Sequence, residues 1–217
     1  MSKSIYSLVL NDELVSMLDK VAHKKGMSRS NMINTLIADY LSYETPEKRM
    51  QYVYQHIESL IQDTQNLKFL PQTSSSLVAM CSAISFRYNP TVKYSIEMFN
   101  DNDGLVGELK VNLRSTNVKL ILALNDFFGL FSELEQKYLG QTQSAIVDGR
   151  FIRRLYLPNG VVVDNETLGE AFVDYVKTLD TLLNEYFIQL NTTGRVNYSA
   201  IEREYAICLK NQTVILY

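Results

Sequence analysis

The side chains that most often perform chemistry in proteins are few and scattered in this chain of 217 residues. There are two histidines, His23 and His56, and two cysteines, Cys81 and Cys208. Neither histidine lies near a candidate nucleophile in the sequence, so the chain offers almost no residues for Ser–His or Cys–His catalysis. The four residues also lack the spacing of metal ligands. We therefore expect a protein that is not an enzyme and that needs no metal or cofactor.

Two clusters of charged residues could bind an ion, but for each of them a purely structural interpretation is favoured. Asp101, Asp103 and Gly104 suggest a calcium loop, but no glutamate stands at the offset that such a loop requires, so a plain turn is expected. Arg150, Arg153 and Arg154 form a basic cluster on a predicted strand. An anion or DNA-backbone contact is one interpretation of this cluster, and a solvated sheet face is the favoured one.

Composition and charge narrow the class of protein further. Hydrophobic residues make up 46% of the chain, which is enough for a packed core. No run of eighteen apolar residues exists, so we expect a soluble, cytoplasmic protein without a membrane partner. The net charge of -3 argues against a protein that coats nucleic acid indiscriminately. The mild excess of positive charge lies in residues 1–50, and this asymmetry alone decides nothing.

The first fifty residues have the pattern of one strand followed by two helices. Ser4–Leu10 is β-branched and aromatic, with Tyr6, Leu8 and Leu10 on one parity. Asn11 or Asp12 is expected to cap a first helix, and Gly26 suits the position after its end. Ser28 then caps a second helix. The apolar stripes of the two helices are Leu14, Leu18, Val21 and Ala22, then Met32, Ile33, Leu36, Ile37, Tyr40 and Leu41.

These three elements cannot form a stable domain alone. The backbone donors and acceptors of a single strand need a partner strand. Two helices of this size also bury too little surface to be stable in isolation. The economical solution is a dimer in which two strands pair antiparallel and four helices cover the inner face of the ribbon.

The strand, its spacing to Gly26 and the turn Gly26-Met27-Ser28-Arg29-Ser30 resemble the ribbon-helix-helix (Arc/MetJ-like) DNA-binding family. The resemblance covers residues 1–45, about a fifth of the chain. It implies a dimeric, sequence-selective regulator of transcription, expected to be a repressor, whose ribbon enters the major groove of double-stranded DNA. The start of the second helix would hold a phosphate through backbone amides. The DNA-binding residues that the resemblance implies are Lys3, Ile5, Ser7, Val9, Lys24, Lys25, Ser28, Arg29 and Ser30.

The outward parity of the strand departs from the family pattern. It carries Ile5, Ser7 and Val9, where the family usually places longer polar or basic side chains. Ser7 can hydrogen-bond either base type, and Ile5 or Val9 can touch a thymine methyl group. Specificity would then come partly from DNA shape and from several dimers bound side by side. Because both parities are apolar, a one-residue slip that exchanges the two faces stays open.

A linker helix is predicted over residues 46–70. Thr45 is its expected cap, and Pro46 suits the first helical position. Apolar residues follow at alternating spacings of three and four, from Met50 to Leu67. This pattern fits a parallel dimer helix on the two-fold axis, and it fits an amphipathic helix packed on its own domain equally well.

The C-terminal residues 71–217 are predicted to form an α+β domain of hairpins and long helices. Alternation predicts strands over 92–98 and 108–114, joined by a turn at 100–104. A helix capped by Ser115 or Thr116 follows. A second hairpin is predicted from Phe151–Leu157, the turn Pro158-Asn159-Gly160 and a return strand at Val161–Val163. The last elements expected are a helix from Asn165 or Thr167, a helix over Tyr198–Lys210 and an apolar tail, Val214–Tyr217.

The leading functional hypothesis is a dimeric DNA-binding transcriptional regulator. Its C-terminal domain would serve homodimerisation or higher homo-oligomerisation, or would sense a protein or small-molecule effector. One alternative is a plasmid or mobile-element accessory protein for partition or DNA transfer. The other is a dimeriser that does not bind DNA.

Overall fold

A computed structural model describes residues 5–62, 64, 66–71, 74, 76–99, 104–147 and 149–217. The chain has a mixed α+β fold with one six-stranded antiparallel sheet. It divides into two compact units, residues 1–48 and residues 49–217. The sheet and the large core belong to the second unit.

The first unit contains two helices, α1 (Asp12–Lys24) and α2 (Arg29–Tyr40). The Asn11 side chain caps α1 by accepting a hydrogen bond from the Glu13 amide at 2.8 Å. Gly26 lies between the helices with a φ of 64°, a conformation that glycine adopts without steric cost. Ser28 caps α2, as the sequence predicts.

The predicted strand Ser4–Leu10 is absent from the single chain, and this prediction is wrong at that level. Ser4 lies outside the described residues, and Ile5–Leu10 form neither helix nor paired strand. The physical reason is the one that requires a dimer. A strand exists only when another strand satisfies its backbone, and the described part of one chain offers none here.

Helix α3 (Pro46–Gln62) begins as expected, with the Lys48 amide donating to the Thr45 hydroxyl at 3.2 Å. It ends at Gln62, earlier than the pattern predicts. Val53, Ile57 and Ile61 carry its apolar stripe and are buried in the core of the second unit.

The sheet has the strand order β1-β2-β3-β4-β6-β5, and all its neighbours are antiparallel. Alternation predicts β3 and β4 correctly, whereas β1, β2 and β5 are not predicted. The calcium-loop hypothesis and the turn at 100–104 concern residues that, apart from Gly104, lie outside the described part of the chain. The strand bounds are β1 (Lys68–Leu70), β2 (Leu77–Ala83), β3 (Thr91–Met98), β4 (Leu105–Leu113), β5 (Ser144–Val147) and β6 (Arg150–Tyr156).

The predicted return strand Val161–Val163 is wrong. Strand β6 pairs with β4 on one side. On its other side β5 pairs with Arg150–Arg153, and the Tyr217 backbone bonds to Tyr156, where the return strand would lie. The 161–163 segment instead runs to α3, where the Arg49 guanidinium donates to the Val163 carbonyl at 3.3 Å. The hairpin that contains β6 is therefore β5–β6.

Three further helices complete the second unit: α4 (Val118–Leu139), α5 (Asn165–Thr193) and α6 (Tyr198–Asn211). The caps of α4 and α5 lie one or more residues from the predicted ones. Asn117 caps α4 in place of Ser115 or Thr116, and Asp164 caps α5 in place of Asn165 or Thr167.

The core lies between one face of the sheet and helices α3, α4 and α5. Phe128 of α4 stacks on Phe151 of β6 with ring centroids 5.1 Å apart. The C-terminal Tyr217 exchanges two backbone hydrogen bonds with Tyr156, at 2.7 and 2.8 Å, which fastens the tail to β6. Among the described helices, none has the length and apolar character that crossing a membrane requires.

Candidate nucleic-acid interface

The segment before α1 presents two different faces. Leu8 and Leu10 line a groove with the two helices. Ile5 and Val9 are fully exposed, at 100% and 104% of their reference areas. Ser7 has the same parity as Ile5 and Val9 and is exposed as well. The parity that carries Ile5, Ser7 and Val9 is therefore the one turned away from the helices.

The groove between this segment and the two helices is almost wholly apolar. It encloses about 470 Å³ and is lined by leucine, valine, methionine and isoleucine side chains. Several of these stay largely exposed in one chain, with Leu14 at 61% and Met17 at 64%. In α1 and α2 only Ala22, Met32 and Ala38 are buried. An exposed apolar surface of this kind is typical of a protein–protein interface or a ligand-binding groove.

The turn between α1 and α2 is exposed and leads directly into the start of α2. The Met27 amide donates to the Ala22 carbonyl at 2.9 Å, which closes the end of α1. The Ser28 hydroxyl accepts from the Asn31 amide at 3.2 Å and starts α2. Ser28, Arg29 and Ser30 are all exposed, and the first turn of α2 has no acidic residue. The partial positive charge of this helix start therefore remains available to an anion.

Arg29 has a different partner from the one expected. Its guanidinium forms a two-pronged ion pair with Asp19 of α1, with Nε to Oδ1 at 2.7 Å and Nη2 to Oδ2 at 2.5 Å. The hydrogen bond and the charge of Arg29 lower the pKa of Asp19. Arg29 thus ties the two helices together, and much of its charge is balanced before any phosphate arrives. The ten-residue separation between these partners gives no local signal in the sequence.

The remaining predicted basic residues lie at the end of α1. Lys24 is in its last turn, Lys25 is its C-cap, and both are exposed. Neither forms an ion pair within the described residues, so both charges are available to a polyanion. Lys3 lies outside the described residues.

The arginine cluster of β6 is divided between the two faces of the sheet. Arg150 and Arg154 are exposed, as a solvated face requires. Arg153 is fully buried, which contradicts the favoured interpretation for that residue. Its Nε contacts both oxygens of the buried Glu135, at 3.2 and 3.0 Å. The Tyr175 hydroxyl donates to the same carboxylate at 2.8 Å.

The period-two alternation of β6 holds the signal for this buried pair. It places Arg153 on the same face as Phe151 and Leu155, which are both fully buried. Burial raises the pKa of Glu135, while the charge of Arg153 and the hydrogen bonds to the carboxylate act in the opposite direction. Glu135, Arg153 and Tyr175 are all buried, so this cluster lies within the core.

A second buried polar cluster joins α5 to the sheet. The Tyr94 hydroxyl donates to the Asp180 carboxylate at 2.7 Å, and the Ser82 hydroxyl donates to the same oxygen. Burial raises the pKa of Asp180 in spite of these hydrogen bonds. Within the described residues, no group of three or more histidine, cysteine, aspartate or glutamate side chains is arranged to hold a metal ion.

Comparison of the chain with protein-family models, with curated proteins and with solved structures found no significant match.

Proposed function

We propose that this chain is a dimeric DNA-binding regulator of the ribbon-helix-helix type, in which two copies of the Ile5–Leu10 segment pair to form one antiparallel ribbon. The observation that carries the proposal is the state of the first unit in a single chain. It combines an unpaired segment with an open apolar groove, and it has very few buried side chains.

A second copy of the same unit satisfies both deficits at once. A two-fold axis pairs each segment with its own equivalent, so the unpaired backbone groups along the facing edges of the two identical strands meet each other. The same operation brings two apolar grooves together. Leu8 and Leu10 then lie on the inner face of the ribbon, against the helices.

The outer face of that ribbon carries the residues proposed to read DNA. Ile5, Ser7 and Val9 from each copy would form a narrow, uncharged surface for the floor of the major groove. Affinity would come from the flanks, where the start of α2 and the lysines Lys24 and Lys25 would meet phosphates on either side. The main role of Arg29 would be the ion pair with Asp19 that joins α1 to α2, and contact with a phosphate would be its secondary role.

The proposed role of the C-terminal unit is oligomerisation or effector sensing. Its strand β5 supports the first of these, because Ser144–Val147 is an edge strand whose four residues are all exposed. An uncharged edge of this kind is a template for pairing with another copy. Adjacent dimers on DNA would be held together in this way.

The experiment compares the same substitution on the two faces of the ribbon. A spin label is attached through Ser7→Cys in a Cys81→Ser/Cys208→Ala background, and dipolar broadening reports whether two copies of the segment lie side by side. Paired antiparallel residues are about 4.5–5.5 Å apart between Cα atoms, so strong broadening is expected. Association through the C-terminal unit does not produce this signal.

Leu8→Glu should abolish the broadening, because it places a charge on the inner face. Val9→Glu should preserve the broadening and weaken binding to duplex DNA, because its charge faces the phosphates. A ribbon that survives Leu8→Glu but is lost in Val9→Glu would show that the faces are exchanged. Absence of broadening in the labelled parent would refute the dimer. Broadening in the labelled parent together with no DNA affinity in the unlabelled wild-type chain would favour the dimeriser that does not bind DNA.

A further inference from the structure

The uncovered face of the six-stranded sheet is strongly basic. In the central strands β3, β4 and β6, residues of one parity are buried towards the helices, and those of the other parity form the uncovered face. This face carries six basic side chains and two acidic ones, an excess of four positive charges, although the chain as a whole has a net charge of -3. The basic residues are Lys68, Lys93, Lys110, Arg114, Arg150 and Arg154, and the acidic ones are Glu97 and Glu108.

The two acidic side chains lie towards one end of the face and engage the basic residues there. Lys110 Nζ is 3.5 Å from Glu97 Oε2 and 3.0 Å from Glu108 Oε1. Arg154 Nε is 3.7 Å from Glu108 Oε2. These pairs neutralise the end of the face that carries Glu97 and Glu108.

The other end of the face has positive charge without compensation. Lys93 pairs in register with Asn112, and Arg150 follows beside Asn112 on the next strand because Val111 pairs with Phe151. Arg114 directly follows the last residue of β4 and is exposed. Within the described residues, Lys93, Arg114 and Arg150 form no ion pair.

Arg114 and Arg150 line an open groove of about 1050 Å³, and Lys93 is the register partner of Asn112, which also lines it. Its lining adds the side chains of Asn112, Ser115 and Thr116 to the arginines. The donors suit phosphate oxygens, which accept hydrogen bonds from guanidinium, amide and hydroxyl groups alike. The one aromatic residue of the lining, Phe151, is buried, so no ring is available on which a base could stack. The chemistry favours a phosphate backbone over exposed bases.

We infer that the Lys93–Arg114–Arg150 end of the sheet is a second DNA-binding surface that contacts the sugar–phosphate backbone without reading its sequence. This inference rests on the proposed function, because it places the phosphates on the same duplex that the ribbon would read. The surface would add affinity and salt dependence, and the choice among sequences would stay with the ribbon.

The test uses the full chain and two variants with equal change of charge. Arg114→Gln/Arg150→Gln alters the basic face. Arg203→Gln/Lys210→Gln is the matched control, because both residues are exposed on α6, which packs against α5 on the covered side. Affinity for a long random duplex is measured over a series of salt concentrations. Thermal unfolding checks that both variants are folded.

The face variant should bind more weakly at every sequence. The slope of log affinity against log salt should become shallower by about 0.9 for each phosphate that the variant no longer neutralises. The α6 control should retain the wild-type slope. Equal slopes in the two variants would overturn the inference.

Val9→Glu, measured in parallel, separates the two proposals. Weaker binding in Val9→Glu with an unchanged slope in the face variant refutes the basic surface and leaves the ribbon. The reverse pattern refutes the ribbon and leaves the basic surface. A competition arm with polyglutamate tests an acidic protein partner. If the face variant loses polyglutamate binding but keeps the wild-type DNA slope, the surface serves a protein and the inference is wrong.

Discussion

Truncation of Leu36 gives the sharpest quantitative test of the dimer. Leu36 lines the groove of the first unit and is 47% exposed in a single chain. Full burial of a leucine side chain is worth about 1.5–3 kcal/mol, so the half still exposed offers about 1 kcal/mol in each copy. Because a two-fold dimer contains two copies of Leu36, the two contributions add. Leu36→Ala should therefore weaken dimerisation by about 2 kcal/mol, which is roughly thirty-fold in Kd.

The assay is a dilution series of the protein labelled at Ser7, with dipolar broadening as the measure of the paired segment. Leu41→Ala is the matched control, because Leu41 is 65% exposed, lies in the same unit and is outside the groove lining. We expect the control to change Kd by less than about three-fold, the range of an ordinary surface substitution. Equal effects of the two substitutions would show that the groove is not the dimer interface, and the reasoning from exposed apolar surface would fail.

Three further predictions concern the ion pairs and buried carboxylates. Asp19→Asn should release the Arg29 guanidinium, so binding to every duplex should become tighter and its salt dependence steeper. Arg29→Ala should weaken binding. If DNA affinity changed in the same direction in both titrations, the role of the Asp19–Arg29 ion pair would be contradicted. Glu135→Gln leaves the charge of Arg153 buried without its counter-ion and should lower the free energy of unfolding by about 3–5 kcal/mol in urea titrations; a decrease below about 1 kcal/mol, typical of an exposed pair, would refute the burial argument. Asp180 has a pKa raised by burial, so its contribution to stability is present below its ordinary pKa of 3.8 and is lost as the pH rises through the raised value. Asp180→Asn should remove that part of the pH dependence in unfolding experiments, and a pH profile parallel to that of the wild type would contradict it.

Local sequence signals predicted the helix boundaries well. Asn11, Ser28 and Thr45 each place a side-chain oxygen near the first free amides of a helix, and Gly26 takes the conformation that ends one. These contacts join residues two or three positions apart, so they need no knowledge of the rest of the fold. The two missed caps, at Asn117 and Asp164, are each beside a residue with similar chemistry.

The strands were predicted where alternation is clean and were missed where it is not. Strand β3 alternates along its whole length. Strand β2 has the sequence LVAMCSA, which shows no polar–apolar alternation because Ala79 and Cys81 on its outer parity are small and apolar. Strands β1 and β5 have three and four residues, too few for a period to be visible. Val161–Val163 has strand-like residues, but the place beside the end of β6 is taken by Tyr217.

The buried ion pair between Arg153 and Glu135 shows that local sequence signals do not predict the partner of an individual side chain. The alternation of β6 is visible in the sequence and assigns Arg153 to the face of Phe151 and Leu155. Whether that face is covered depends on α4, which supplies Glu135 eighteen residues earlier in the chain. A buried arginine is stable only with such a partner, and only the packed structure brings the two together.

The sequence by itself determined the elements that depend on neighbours along the chain: the helices, the caps of α1, α2 and α3, and the turn at Gly26. The tertiary structure decided what depends on distant partners: the strand order, the pairing of Arg29 with Asp19, the burial of Arg153 and the basic face assembled from separate strands. The physical reason is that a cap or a turn is satisfied within a few residues. Strand pairing, charge burial and surface charge are satisfied only by groups that folding, or a second chain, brings close.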